Sequence, residues 1–276
     1  MADKHLPRIL CLHGSGSSAA IFSVQSRRIR RALRYHFRFV FVNGPFETTA
    51  GPGVLRGTGP YYRWMPGRRA WGGLEATEEQ DAEMRVVRKL LSEELAREDG
   101  EPFVGIMGFS QGALLTTAVL LQHQLKERTK IPQLKFAILL CGTYHPRIWS
   151  CFPEDRWSDL SSRLGSLRIT QSEVYSDSDS GFSSDAGSDS DSPQSSTSST
   201  STGSLGDYRR RVLIPSIHAQ GLGDPWLPES RMLVGQCYDP RTSKVVEFEG
   251  GHHIMSSQTD IDKLANAILC AYDESV

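Results

Sequence analysis

The chain has 276 residues and a nearly balanced charge, with 31 Lys and Arg residues against 32 Asp and Glu residues and a net charge of −1. Such a balance excludes the large single-sign field that gathers nucleic acid or an acidic membrane surface, so we expect neither partner. No apolar run approaches the roughly 20 residues of a membrane span, and the first residues lack the apolar core of a signal peptide.

Five cysteines are scattered along the chain, without CxxC or Cys/His metal spacing. They predict reduced, mostly buried thiols and hence a cytoplasmic protein. A chain of this length can bury one large core, so we expect a single domain over residues 1–276.

The first predicted strand, Arg8–Leu12, is a continuous apolar run that ends in a loop of small residues. Such a loop lets backbone N–H groups face a substrate, as an oxyanion hole requires. It lacks the glycine-lysine pattern of a phosphate-binding loop. We expect the N–H of Ser15 to be one oxyanion donor and His13 to orient the loop rather than act as a base.

Two helices with a polar face are predicted in the first hundred residues. Residues 21–35 carry five arginines, which we interpret as a solvated helix face rather than a nucleic-acid patch because the total charge is near neutral. Thr77 and Gln80 resemble a capping box that begins a helix reaching about Glu98. A strand is predicted at residues 37–42.

Residues 46–74 are predicted to be an irregular loop, since glycines and prolines alternate there with aromatic residues. Long ordered loops in compact domains are usually functional. The aromatic rings either wall an apolar substrate cleft or cap the core beneath the loop. The candidate substrate-binding residues are Tyr61, Tyr62 and Trp64.

The central motif is Gly-x-Ser-x-Gly at residues 108–112, with an apolar strand before it and an amphipathic helix after it. This is the context of a nucleophile elbow, in which Ser110 stands on a tight strand-to-helix turn. Side chains at Gly108 or Gly112 would collide with the neighbouring strand and helix. The N–H of Gln111 is the second expected oxyanion donor.

Further apolar strands are predicted at residues 135–142, 211–218 and 244–249, and a closing helix at residues 260–272. Alternating strands and helices predict an α/β fold with a mostly parallel sheet and helices on both faces. Residues 171–207 are dominated by Ser and Asp, cannot bury enough apolar surface, and are predicted to be a disordered acidic insertion. It is either a phosphorylatable partner tract or a tolerated surface loop.

Candidates for a serine hydrolase triad occur in the order Ser110, Asp224, His252, each directly after a predicted strand. A serine hydroxyl is a weak nucleophile and needs an imidazole to take its proton, while a carboxylate orients that imidazole. The carboxyl ends of parallel strands share one edge of the sheet, so we expect the three side chains to meet there.

Alternatives for each role remain open at this point. His253 is adjacent to His252, but His252 follows Gly250 and Gly251 directly, on the tight turn that would present it. The other candidate acids are Asp207 and Asp239. His218 is interpreted as a structural residue at a strand end.

The motifs Leu12–Gly16, Gly108–Gly112, His218–Asp224 and Gly250–His253 together resemble the fungal serine hydrolase family of α/β-hydrolases. That family includes ovarian-cancer-associated esterase-like proteins and the stand-alone thioesterases of fungal polyketide clusters. The resemblance extends over nearly the whole chain except residues 171–207. Met255 departs from the proline that many relatives have there.

The resemblance implies hydrolysis of a carboxylic ester or acyl thioester of a hydrophobic acyl or polyketide substrate, in secondary metabolism. It also implies a substrate carried on a polyketide synthase carrier domain. No metal or organic cofactor is expected, because nucleophile, base and oxyanion donors are all protein groups. The alternatives are a lactonase or peptidase on the same fold, or a non-catalytic interaction protein that uses the acidic tract.

Overall fold

A six-stranded parallel sheet lies at the centre of the protein, in the strand order β2-β1-β5-β6-β7-β8. The structure is a computed structural model that describes residues 5–65, 77–125, 134–145 and 211–275. The strands are β1 (Arg8–Leu12), β2 (Arg38–Val42), β3 (Phe46–Thr48), β4 (Tyr61–Arg63), β5 (Phe103–Phe109), β6 (Phe136–Leu140), β7 (Ser216–Gly221) and β8 (Ser243–Phe248).

Helices cover both faces of this sheet, as predicted. Successive residues of β1 alternate between two hydrophobic clusters, with Ile9 in one and Leu10 in the other. The first cluster also contains Phe22 and Leu264, and the second contains Leu115. The helices are α1 (Ala19–Gln25), α2 (Arg27–Ala32), α3 (Glu78–Leu95), α4 (Gln111–Leu125), α5 (Leu227–Cys237) and α6 (Gln258–Asp273).

The predicted helix over residues 21–35 is in fact two short helices that meet at Ser26. The Ser26 hydroxyl donates to the carbonyl of Phe22 at 2.7 Å, and a serine that bonds back to the preceding turn bends a helix. The prediction of one continuous helix was therefore wrong. By contrast, Thr77 and Gln80 form the predicted capping box at the start of α3.

Strand β7 begins at Ser216, five residues later than predicted from the apolar run. Pro215 has no N–H to donate to a sheet ladder, so regular pairing starts only after it. As a result His218 lies in the middle of the strand and is buried, whereas the sequence had suggested a strand end.

The loop predicted to be irregular contains a small antiparallel pair, in which Phe46 is opposite Arg63 and Thr48 is opposite Tyr61. The described residues all belong to one compact unit of the chain. The predicted acidic insertion at 171–207 lies outside the described residues, so the prediction of a single domain interrupted by it stays a prediction. No helix in the described part of the chain is long and apolar enough to cross a membrane.

The turn between β5 and α4 is pressed against the end of β1. A Cβ atom at Gly112 would collide with the carbonyl oxygen of Leu12, and one at Gly108 would collide with the backbone of Gly112 itself. The predicted steric need for glycine on both sides of Ser110 is confirmed by these contacts.

We expect Gly112→Ala to lower the free energy of unfolding by about 1–3 kcal/mol, because the added methyl group forces β1 and α4 apart. Gly235 offers a matched control, since a Cβ atom there meets nothing within 4 Å and its position inside α5 favours alanine. Gly235→Ala should raise the free energy of unfolding by up to about 1 kcal/mol. Urea denaturation of both variants measures the difference, and equal effects would contradict the packing argument.

Candidate active site

Ser110 occupies the turn that joins β5 to α4, at the carboxyl end of the central strand. Its backbone has a φ of 52°, in the left-handed region that residues other than glycine rarely adopt. Its N–H donates to the carbonyl of Leu140 at 3.0 Å, which ties the turn to the end of β6. The turn thus holds the serine in a strained conformation, and strain of this kind concentrates at functional sites.

Three side chains from three different loops form a continuous hydrogen-bonded chain. The Ser110 hydroxyl donates to Nε2 of His252 at 2.9 Å, and the Nδ1–H of His252 donates to Oδ2 of Asp224 at 2.8 Å. The Asp224 side chain is 1% exposed and the His252 side chain is 13% exposed. The structure therefore brings together the three residues that the sequence analysis selected, in the geometry of a nucleophile, a base and an orienting acid.

Aromatic rings and backbone groups hold these three hydrogen-bonded side chains in place. The ring of Trp226 meets the ring of His252 edge-on at 4.4 Å, and Phe109 lies 5.1 Å from it on a tilted plane. The second carboxylate oxygen of Asp224 accepts the N–H of Trp226 at 2.8 Å. Sequence analysis did not single out Trp226, although its place two residues after the candidate acid was a signal.

His253, the alternative base, is used within its own turn. Its Nε2 accepts the N–H of Gly251 at 3.2 Å, and its Nδ1 lies 3.1 Å from the carbonyl of Ile254. Both ring nitrogens are thus engaged by backbone groups. His252 is the histidine that contacts Ser110 and Asp224.

Of the two alternative acids, the described part of the chain contains Asp239, and its carboxylate has a different partner. Asp239 is paired with Arg241 at 2.6 Å, and this partner lowers the pKa of Asp239 to about 2. Asp207 lies outside the described residues. His218 is buried against Tyr238, and burial lowers its pKa to about 3, so it is a neutral core residue.

The two predicted oxyanion donors belong to residues that border the same cavity as Ser110. Ser15 and Gln111 both line the cavity that contains Ser110, and Gln111 is the first residue of α4. Within the described ranges neither backbone N–H has an acceptor. First-turn N–H groups have no partner inside a helix, and the helix dipole favours negative charge beside them.

The side chain of Gln111 has a separate task. Its Oε1 accepts the N–H of Trp64 at 2.9 Å, and its Nε2 donates to the carbonyl of Met65 at 3.1 Å. The residue next to Ser110 therefore anchors the end of the aromatic loop.

The three candidate substrate-binding residues, Tyr61, Tyr62 and Trp64, lie outside the lining of the cavity that contains Ser110. Trp64 is fully buried and donates from Nε1 to the carbonyl of His13 at 2.9 Å. The Tyr61 hydroxyl donates to the carbonyl of Leu55 at 2.8 Å, within its own loop. None of the three aromatic residues lines the described cavity. Of the two readings left open by the sequence, the contacts favour capping and bracing.

Tyr62 and His13 brace the loop that follows β1. The N–H of Tyr62 donates to the carbonyl of Ser17 at 2.7 Å, and the N–H of Gly16 donates to the carbonyl of Tyr62 at 2.9 Å. The Nδ1–H of His13 donates to Gly14 at 2.7 Å, while its Nε2 accepts from the N–H of Gly44 at 2.9 Å. Burial lowers the pKa of His13 to about 4, which keeps it neutral in this role.

Cys141 lies behind the triad at the end of β6. Its thiol donates to the carbonyl of His253 at 3.4 Å, and burial together with the charge of Asp224 raises its pKa to about 12. The sulfur lies within 4.8 Å of ligand atoms of Asp224 and His252, a grouping that could hold a metal ion. A metal would have to displace the His252–Asp224 hydrogen bond and deprotonate this thiol, so the cluster is better explained as packing behind the triad.

A cavity of about 560 Å³ opens in front of Ser110 and has the size of a typical small-molecule site. Part of its wall is apolar, and part carries the polar residues Ser17, Gln25, Arg27 and Arg28. The sequence predicted neither the full apolar wall nor its members, because they come from segments far apart in the chain; three of them belong to the loop over residues 46–74. The apolar lining residues are Pro52, Val54, Met65, Phe109, Leu114, Trp226, Ile254 and Met255.

Comparison with protein families gives a match over residues 1–264 to the family described as Serine hydrolase (FSH1). Thioesterase FSL2 of Gibberella zeae is 33% identical over 99% of this chain and 95% of its own length. The dihydromonacolin L-[lovastatin nonaketide synthase] thioesterase of Aspergillus terreus is 31% identical over 94% of this chain and 89% of its own length. Esterase FUS5 of Gibberella moniliformis is 28% identical, over 98% of this chain and 89% of its own length.

Solved structures with the same fold include Zea mays acyl-protein thioesterase 2, at a TM-score of 0.52 and 14% identity, covering 98% of this chain and 95% of its own. Esterase PE8 also aligns at a TM-score of 0.52, with 16% identity over 99% of this chain and 94% of its own. At such low identity these likenesses concern the fold alone, which is that of the α/β-hydrolases, as the sequence predicted.

The two buried neutral histidines predict loss of stability in mild acid. An unfolded histidine has a pKa of about 6.5, so the unfolded chain binds protons at these two positions below that pH. In the folded protein His13 binds a proton only near pH 4 and His218 only near pH 3, so acid favours the unfolded state. The free energy of unfolding should fall by about 2 kcal/mol for each histidine between pH 7 and pH 5. Denaturant unfolding of wild type and His218→Asn across this range measures the slope, and an unchanged slope in the variant would contradict the assignment.

Proposed function

We propose that Ser110, His252 and Asp224 are the catalytic residues of this chain, which belongs to the serine hydrolase (FSH1) family. The chain is a serine esterase or thioesterase. The observation that carries the proposal is the hydrogen-bonded chain from Oγ of Ser110 through the ring of His252 to Oδ2 of Asp224. These three side chains lie at the carboxyl ends of the parallel strands, which share one edge of the sheet.

In the first half of the reaction Nε2 of His252 takes the hydroxyl proton of Ser110 as Oγ attacks the acyl carbonyl carbon. Asp224 keeps Nδ1 protonated and stabilises the imidazolium that forms. The N–H groups of Ser15 and Gln111 stabilise the tetrahedral oxyanion, a contribution typically worth about 3 kcal/mol per donor. The imidazolium then protonates the leaving alcohol or thiol, which leaves an acyl group on Ser110.

In the second half, water replaces the leaving group and His252 removes its proton as the water attacks the acyl-enzyme. Collapse of the second tetrahedral intermediate releases the carboxylic acid and returns the proton to Oγ of Ser110. In both halves the proton passes between Ser110 and His252, which are already in hydrogen-bond contact.

The substrate we propose is an ester or thioester of a hydrophobic acyl group. The apolar wall of the cavity supports this class, because it can accept a hydrocarbon or polyketide chain without leaving polar groups unpaired. A relative named as a thioesterase of a nonaketide synthase supports an acyl thioester carried on a synthase carrier domain, in polyketide secondary metabolism. Cys11, Cys141 and Cys237 are buried and free, which supports a cytoplasmic location.

We expect wild type to hydrolyse p-nitrophenyl esters and matching acyl thioesters, with kcat/KM rising as the acyl chain lengthens to fill the cavity. Ser110→Ala should lower kcat by at least about 10³-fold on every acyl donor, since the nucleophile is lost. The ester-to-thioester ratio of kcat/KM then reports the preferred leaving group. Equal turnover by the two proteins, or a fluorophosphonate probe that fails to label folded wild type, would overturn the serine mechanism.

The adjacent histidines give a matched pair of variants. His252→Asn should reduce kcat by at least about 10³-fold, because among the described residues His252 is the histidine that hydrogen-bonds Ser110. His253→Asn should cause a much smaller loss of kcat, since the ring of His253 hydrogen-bonds only the backbone of its own turn. Parallel turnover assays, with thermal melting to confirm folding, measure both, and a larger loss in His253→Asn would reverse the assignment of the base.

A further inference from the structure

Two arginines stand on the wall of the cavity that contains Ser110. Arg27 and Arg28 begin α2, are exposed, and line this cavity. In the described part of the chain no carboxylate lies within ion-pair distance of either guanidinium. The side-chain hydrogen bond of Arg27 there is a long one, from Nη1 to the carbonyl of Val24 at 3.4 Å. Both positive charges are therefore available to an anion.

The surrounding sequence reinforces this positive field. No acidic residue occurs between Asp3 and Glu47, whereas α2 and its C-terminal turn add Arg31 and Arg34 to the same short segment. A cleft with charge of one sign on its wall concentrates ligands of the opposite sign. The net charge of the whole chain is near neutral, so this field is a local feature beside the site.

Polar side chains without partners lie on the same wall. The hydroxyl of Ser17 and the side-chain oxygen of Gln25 are buried and have no hydrogen-bond partner among the described residues. Buried polar atoms are nearly always satisfied in native proteins, but these two atoms have no surface open to the cavity, so either side chain must rotate before a cavity ligand can reach it. The charged groups that this wall presents to a ligand are the guanidinium groups of Arg27 and Arg28.

The two kinds of wall match the two ends of a thioester. A hydrophobic acyl chain fits the apolar wall, where an anionic group would be costly to bury. The anion then belongs to the leaving group. Thiols that carry acyl groups on carrier domains or in coenzyme A share one arm, 4′-phosphopantetheine, which has two amide groups and ends in a phosphate.

We propose that Arg27 and Arg28 bind the phosphate of a phosphopantetheine leaving group and so make the enzyme selective for thioesters that carry it. This inference rests on the proposed function, because it assigns a binding role within the same cavity. Arginine suits the role, since its guanidinium holds phosphate oxygens through two parallel hydrogen bonds.

The test compares octanoyl-pantetheine with octanoyl-4′-phosphopantetheine, which differ only in the phosphate. Wild type should show at least a tenfold higher kcat/KM for the phosphorylated thioester, mainly through KM, because the phosphate is remote from the reacting carbonyl. The preference should weaken as ionic strength rises. In the double variant Arg27→Gln with Arg28→Gln the ratio of the two kcat/KM values should fall toward one.

A matched control removes the same charge from the same helix region. Arg31→Gln with Arg34→Gln changes two exposed arginines that do not line the cavity, and this variant should keep the phosphate preference. A wild-type ratio near one, or a ratio that survives in the Arg27 and Arg28 variant, would overturn the proposal. If both double variants lose the preference, a diffuse positive field rather than a specific phosphate site explains it, and the proposal is overturned.

Further measurements separate this proposal from the catalytic one. Calorimetric titration of Ser110→Ala with free 4′-phosphopantetheine and with pantetheine tests the arginines without turnover, and equal affinity for the two would overturn their role. If no thioester is hydrolysed while the phosphorylated arm binds more tightly, the proposed reaction fails and the phosphate site stands. Comparing octanoyl-coenzyme A with an octanoyl carrier domain then distinguishes the two sources of the arm, and preference for either one is consistent with the site.

Discussion

The close approach of the β5–α4 turn to the end of β1 is the constraint on which the site depends. With glycine at position 112 the helix comes close enough for its first N–H group to lie beside the loop that carries Ser15. The same turn forces Ser110 to a φ of 52° and exposes its hydroxyl at the edge of the sheet. One steric condition therefore sets both the direction of the proposed nucleophile and the position of the proposed oxyanion donors.

The hydrogen-bonded chain adds an electrostatic condition to this steric one. Asp224 is buried, yet its two oxygens accept from His252 and from the N–H of Trp226, so its charge is compensated. Cys141 adds no second charge beside it, because burial and the carboxylate raise the pKa of the thiol to about 12. The imidazole of His252 thus has one carboxylate partner and one hydroxyl partner, which is the arrangement that the proposed proton transfer from Ser110 requires.

The sequence predicted the elements whose signals are local. The glycine pattern around Ser110 and the strand-end positions of Asp224 and His252 each depend on a few adjacent residues and on the rule that parallel strands end at one edge. The role of Trp64 could not be predicted, because its burial depends on His13 and Gln111, which are 51 and 47 residues away in sequence. Arg27 was interpreted as part of a solvated face for a similar reason, since only the folded chain shows that this face borders a cavity.

Gln111 joins two parts of the molecule that differ in how freely they can change. Its side chain holds the loop at Trp64 and Met65, whereas Pro52 and Val54 of the same loop line the cavity beside Gly51, whose N–H donates to the carbonyl of Gly16 at 2.9 Å. Mutations that accumulate after gene duplication can therefore alter the middle of this loop while its end stays fixed. New acyl preferences can arise along such a lineage without any change in the order of proton transfers.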